Sequence, residues 1–130
     1  MADNSKRTGV AVEAHYQFLL WLLPTVEKFP RSHKFTLGDR IESIALNVLE
    51  ALIEATYTRD RAEALRRGNL GIEKLRFLIR LAADLRLLDR RRYEYAARTL
   101  DDTGRLIGGW MKAHRVANSA TPGTSDAATA

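Results

Sequence analysis

Apolar residues in this chain recur at three- and four-residue intervals. Period-2 alternation is absent, so the pattern predicts helices and almost no strand. The first predicted helix covers Val10 to Lys28, with Val12, Tyr16, Leu19, Leu20, Leu23 and Val26 among its apolar positions. Pro24 lies inside it, where a missing N–H and a ring clash predict a kink. Phe29 precedes Pro30 and is biased away from helical backbone, which ends the helix near Lys28. A second helix is predicted from Thr36, a capping residue followed three positions on by Asp39. Leu37, Ile41, Ile44, Ala45, Val48 and Leu52 form its stripe, widened by Leu49, Ile53 and Tyr57. Asp60 and Glu63 repeat the cap-and-acid spacing after the joint Thr58-Arg59-Asp60.

The third predicted helix runs from about Arg61 to Leu88 on Leu65, Ile72, Leu75, Ile79 and Ala82, broadened by Leu78 and Leu85. Gly68 and Gly71 each cost about 1 kcal/mol relative to alanine in a helix. The apolar period continues through them, so they predict close helix–helix approach rather than a break. The fourth helix follows Asp89 and runs to about His114, with Tyr93, Ala96, Ala97, Leu100, Gly104, Ile107 and Met111 facing inward. Gly104 and Gly108 are placed to admit a neighbouring backbone.

Four long amphipathic helices with short joints predict an all-α, up-down-up-down four-helix bundle. The expected organisation is a flexible N-terminus over 1–9, the bundle over 10–115 and a disordered tail over 116–130, where small polar residues dominate. Leu70, Phe77, Leu81 and Leu88 fall on the polar side of the third helix, among Arg66, Glu73, Arg80 and Asp84. Such a row of large apolar side chains on an exposed face predicts a homo-oligomer interface.

Composition removes several classes of chemistry. With no cysteine, disulfides and thiolate catalysis are excluded. The apolar run Phe18 to Leu23 is too short to span a bilayer. It has Glu13 before it and no small-residue cleavage signature after it, which argues against a secretory signal. A soluble, cytoplasmic protein with no membrane partner is expected. His15, His33 and His114 lie in separate segments without a serine motif, and no Glu-x-x-His occurs. Gly68 and Gly71 lack the lysine and hydroxyl of a phosphate loop. The expectation is therefore no enzyme, no metal and no cofactor.

Charge supplies the positive signal. The formal net charge is +5, but residues 1–58 carry 6 Lys/Arg against 7 Asp/Glu, residues 59–98 carry 12 against 6, and residues 99–130 carry 3 against 3. The excess sits in one third of the chain, which points to an anionic partner. The candidate nucleic-acid-binding residues are Arg66, Arg67, Lys74, Arg76, Arg80, Arg86, Arg90, Arg91, Arg92 and Arg98. Nine are arginines, whose forked donors suit phosphate oxygens. Arg90-Arg91-Arg92 follow Asp89 at a predicted helix start, where the dipole disfavours cations by about 0.3–1 kcal/mol at low salt. Free N–H groups at the same end attract anions, so the triplet predicts a phosphate site. Arg31, His33 and Lys34, in the connector from Lys28 to Arg40, are expected to extend the basic surface.

Three stretches carry a family resemblance: "WLLPTVEKFPRSHKFTLGDRIES", "NLGIEKLRFLIRLAADLRLL" and "GRLIGGWMK". Over roughly residues 12–115 the chain resembles the accessory variability determinant (Avd) proteins of diversity-generating retroelements. It also resembles the wider group of small four-helix bundles that includes proteins encoded by 23S ribosomal RNA intervening sequences. Phe29-Pro30-Arg31 and Gly108-Gly109-Trp110 match in order. The resemblance implies a homopentameric barrel without a catalytic site. It further implies binding to RNA or an RNA–DNA hybrid and to the reverse transcriptase, in support of mutagenic cDNA synthesis. The competing expectation is a protein-interaction scaffold of the intervening-sequence type, with no reverse-transcriptase role.

Overall fold

The structure, a computed structural model, describes residues 2–119. Among them are four long helices: α1 (Ala2–Glu27), α2 (Asp39–Tyr57), α3 (Ala62–Asp84) and α4 (Arg90–Ser119). No strand occurs among the described residues. Each helix packs on the next, and α4 closes against α1. Tight joints make successive helices antiparallel, which gives the expected four-helix bundle. Helix α1 begins ahead of the predicted Val10, and α4 continues past the predicted end at His114. Residues 120–130 of the predicted tail, and Met1, lie outside the described residues.

The core is assembled by the predicted stripes. Phe18, Leu22 and Val26 of α1 meet Ile41 and Leu52 of α2, Leu65, Ile72, Leu75 and Ile79 of α3, and Leu100 and Ile107 of α4, all nearly inaccessible to solvent. Helix α1 continues through Pro24 to Glu27. Pro24 deprives the Leu20 carbonyl of its helical donor. Next to it, the Thr25 hydroxyl donates to the Trp21 carbonyl at 2.7 Å.

The α1–α2 connector departs from expectation. After Pro30 the chain makes one helical turn, Arg31–His33, and then a wide π-type turn, Lys34–Gly38. Helix α2 starts at Asp39 rather than Thr36. The cause is Gly38, which is buried: a Cβ there would lie 2.9 Å from Val26 Cγ1, so only glycine lets the turn press on α1. The Thr36 hydroxyl donates to the His33 carbonyl at 3.4 Å and caps nothing. Lys34 pairs with Glu27 at 2.5 Å and ties the connector back to α1. Asp60 likewise caps nothing. Helix α3 starts at Ala62 behind Arg61, whose Nε donates to the Thr58 carbonyl and whose guanidinium lies over the Trp110 ring.

The glycines of α3 do bring helices together. A Cβ at Gly71 would overlap Val48 Cγ2, and one at Gly68 would touch Leu52 Cδ2 at 3.4 Å. Gly104 of α4 admits a side chain instead of a backbone, because the Arg76 guanidinium lies 3.0 Å from where its Cβ would be. Gly108 faces open space, contrary to expectation.

Helix α3 stops at Asp84, short of the predicted Leu88. Arg86 adopts a left-handed backbone (φ 64°). The Arg86 N–H donates to the Ala83 carbonyl and the Leu87 N–H to the Ala82 carbonyl, both at 2.9 Å. This is the Schellman arrangement, in which glycine usually holds the left-handed position.

One buried polar contact joins α1 to α2. His15 is fully buried, and its Nε2 donates to the Ala45 carbonyl at 2.8 Å. Its Nδ1 has no hydrogen-bond partner. Burial pushes its pKa below the ordinary 6.5, only partly opposed by the bond to Ala45. The ring is therefore neutral at pH 7.

Candidate nucleic-acid interface

The ten predicted cations divide into two groups. Six are engaged by carboxylates. Arg66 pairs with Glu63 at 2.8 Å and Arg67 with Glu54 at 2.7 Å. Arg76 bridges Glu73 and Asp101, Arg80 reaches Asp84 at 4.0 Å, Arg90 meets Glu94 at 3.3 Å, and Arg92 meets Asp89 at 2.8 Å. The Arg66 hydrogen bond holds the Glu63 carboxyl below its usual range. Most of these pairs are solvent-exposed, where an ion pair contributes little and is readily exchanged for another anion. Lys74, Arg86, Arg91 and Arg98 have no carboxylate partner among the described residues.

The arginine triplet is not one cluster. Asp89 occupies the N-cap of α4, with its Oδ1 accepting the Arg92 N–H at 2.8 Å and its Oδ2 holding the Arg92 guanidinium. The helix end already has its own anion. Arg90 turns to Glu94, and Arg92 lines a hollow between α1 and α4 with Trp21 and Lys28.

Arg91 belongs instead to a longer row. Arg91, Arg98, Arg105 and Lys112 stand seven residues apart along α4, all exposed. Two helical turns of roughly 10 Å separate successive members, so the row spans roughly 30 Å. Arg105 pairs with Asp102 at 2.5 Å, while Arg91, Arg98 and Lys112 have no carboxylate partner among the described residues. Counting charge by segment hid this ridge, because Arg105 and Lys112 fall in the neutral last third. The seven-residue spacing was the signal that could have found them.

The predicted apolar row is only partly on the surface. Leu70, Phe77 and Leu81 are exposed on α3, Phe77 at 68%. Leu88 is not part of it: at 5% exposure it is buried in the protomer's own core. The left-handed Arg86 breaks the helical register and swings Leu88 inward. Other large apolar side chains are also uncovered. Tyr16 and Leu20 of α1 and Leu46 and Ile53 of α2 are all exposed, although Tyr16, Leu20 and Ile53 belong to the predicted stripes. Where the connector meets α2, Glu27 and Asp39 approach Glu42, whose pKa is raised first by burial and then by those two charges.

Among the described residues no group of His, Asp or Glu is arranged to hold a metal ion, and no helix is long and apolar enough to cross a membrane. The bAvd-like family model matches residues 9–114, which is the whole bundle without its ends. The chain belongs to the bAvd-like family. This agrees with the Avd resemblance carried by the connector, the Leu-Arg-Phe-Leu segment of α3 and the Gly-Gly-Trp segment of α4. No curated protein matches the chain. In this Avd-type bundle the connector holds α1 and α2 together through Gly38 and Lys34, while the cationic row lies on α4.

Proposed function

We propose that this protein is a non-catalytic accessory factor of a diversity-generating retroelement. It acts in the cytoplasm, where it binds template RNA or an RNA–DNA hybrid together with the reverse transcriptase and supports mutagenic cDNA synthesis. The observation that carries the nucleic-acid part is the α4 ridge. Three of its four cations, Arg91, Arg98 and Lys112, have no carboxylate partner among the described residues and gain from a polyanion. Family membership supplies the retroelement context. Phosphate contacts of this kind position a strand without reading its sequence. Copies assemble as a homopentamer, which repeats the ridge. The exposed side chains of Tyr16, Leu20, Leu46 and Ile53 offer apolar surface for neighbouring copies and for the polymerase.

A salt titration of duplex and hybrid binding tests this. Replacing Arg91, Arg98 and Lys112 together by glutamine should lower the slope of log affinity against log salt, by about 0.9 on a duplex for each phosphate that is no longer neutralised. An unchanged slope refutes the assignment of the ridge. In the scaffold alternative, protein partners survive nuclease treatment and no nucleic acid copurifies.

A further inference from the structure

The groove between α2 and α3 has chemistry that the α4 ridge lacks. A hollow of about 720 Å³ lies over Ile44 and Leu78, rimmed by Arg40, Ser43 and Asn47 of α2 and by Lys74 and Phe77 of α3. Arg40 and Ser43 also line a second hollow of about 610 Å³, which reaches Phe35 in the connector, so the two hollows share a rim. The two phenylalanine rings are 60% and 68% exposed, far more than a stability role requires. Arg40 and Lys74 have no carboxylate partner among the described residues. Lys34 lies 5.4 Å from the centre of the Phe35 ring. The one carboxylate in the lining is Asp39, in the second hollow.

We infer that this groove binds single-stranded nucleic acid, with Phe77 and Phe35 as stacking platforms and Arg40 and Lys74 as phosphate contacts. The inference rests on the reading above that the protein binds nucleic acid, and it names the form bound at this place. A ligand that satisfies exposed rings and free cations together must present flat π faces and negative charge at short intervals. Unpaired nucleotides do so, whereas a duplex hides its base faces in the stack. Ser43 and Asn47 add a hydroxyl and an amide for base edges. An apolar surface of a second copy would cover the two rings but leave Arg40 and Lys74 without an anion, whereas a nucleotide strand supplies both. The exposed α3 row of Leu70, Phe77 and Leu81 is thereby given to nucleic acid rather than to self-association.

The test measures binding of a short labelled oligo-uridylate and a hairpin duplex across a salt series. Phe77 is mostly exposed, so its replacement leaves the bundle folded, as circular dichroism will report. Phe77→Ala should weaken oligo-uridylate binding about 5- to 150-fold without changing the salt slope. Phe77→Leu should resemble the alanine variant, and Phe77→Trp should restore affinity, because stacking needs a ring and not merely apolar bulk. Arg40→Gln and Lys74→Gln should each reduce the single-strand salt slope by about 0.7. Duplex binding through the α4 ridge should be unaffected by any change at Phe77. If wild type binds oligo-uridylate and the alanine and leucine variants match it, this inference is overturned and the proposed function stands. If wild type binds neither strand nor duplex at low salt, both fail. If Phe77→Ala leaves RNA binding intact but lowers the sedimenting mass or abolishes capture of an acidic protein after nuclease treatment, the groove is a protein contact and the inference is wrong.

Discussion

Replacing Gly71 by alanine should destabilise the bundle, whereas the same change at Gly68, one helical turn earlier, should stabilise it. Both residues sit in α3 facing α2, so both substitutions gain about 1 kcal/mol of helix propensity. The steric terms differ. At Gly68 the new methyl would meet Leu52 Cδ2 at 3.4 Å and Ala51 Cβ at 3.8 Å, ordinary contacts that fill space. At Gly71 it would overlap Val48 Cγ2, with Ile44 Cγ2 at 3.9 Å. Val48 is buried and β-branched, hence held to one rotamer in a helix, so the clash cannot be relieved by a cheap rotation. Overpacking of this kind costs about 1–3 kcal/mol. Propensity cancels between the two variants, so their difference isolates that cost. Gly68→Ala should therefore gain about 1 kcal/mol and Gly71→Ala should lose up to about 2 kcal/mol. Each kcal/mol should move the melting midpoint about 3–5 °C for a chain of this size. Urea unfolding at one fixed protein concentration is the assay, since self-association would make stability concentration-dependent. Adding Val48→Ala to Gly71→Ala should remove the penalty, a non-additivity that a double-mutant cycle reads directly. Equal stability of the two alanine variants would refute the close approach of α2 and α3.

Two further outcomes follow from the backbone and from titration. Arg86→Gly should stabilise the protein by about 1 kcal/mol, because a left-handed non-glycine residue costs about 1–2 kcal/mol and glycine's extra chain entropy returns only part of that; the same variant removes a free cation and should bind RNA less tightly, and a fall in its urea midpoint would contradict the Schellman cap. His15 has a folded-state pKa below its ordinary 6.5, so the unfolded chain binds the extra proton first. Its contribution is complete above pH 6.5 and is lost as pH falls below that value, so urea midpoints should decline in mild acid, and the decline should shrink in His15→Gln.

The helices were legible because their stripes are long and strongly periodic, and Leu65, Ile72, Leu75 and Ile79 sit inside as the spacing requires. Their ends were less so. Thr36 and Asp39 present a capping signature, yet the burial of Gly38 against Val26 moves the helix start. The end of α3 carries no glycine to announce it, and Leu85, Leu87 and Leu88 continue the apolar pattern past the true stop, which is why Leu88 read as surface. Gly104 and Gly108 look equivalent in one dimension; only the Arg76 side chain distinguishes them. At the candidate interface the sequence marked the basic third of the chain, but pairing with carboxylates depends on rotamers and neighbouring helices. The Arg67–Glu54 and Arg76–Asp101 pairs are such cases, and no local pattern reports them.

Helix α3 is held to its two neighbours by unlike materials. Against α2 it lies bare backbone to methyl at Gly71, with only the exposed Arg67–Glu54 pair beside that contact, so the joint owes little to charge. Against α4 the space over Gly104 is filled by the half-buried guanidinium of Arg76, clasped by Asp101, so that joint is compliant and answers to ionic conditions. The molecule is thus built as a rigid hairpin carrying a softer flank. High salt should speed amide exchange in α4 near Asp101 well before it reaches the residues of α3 that lie under Val48.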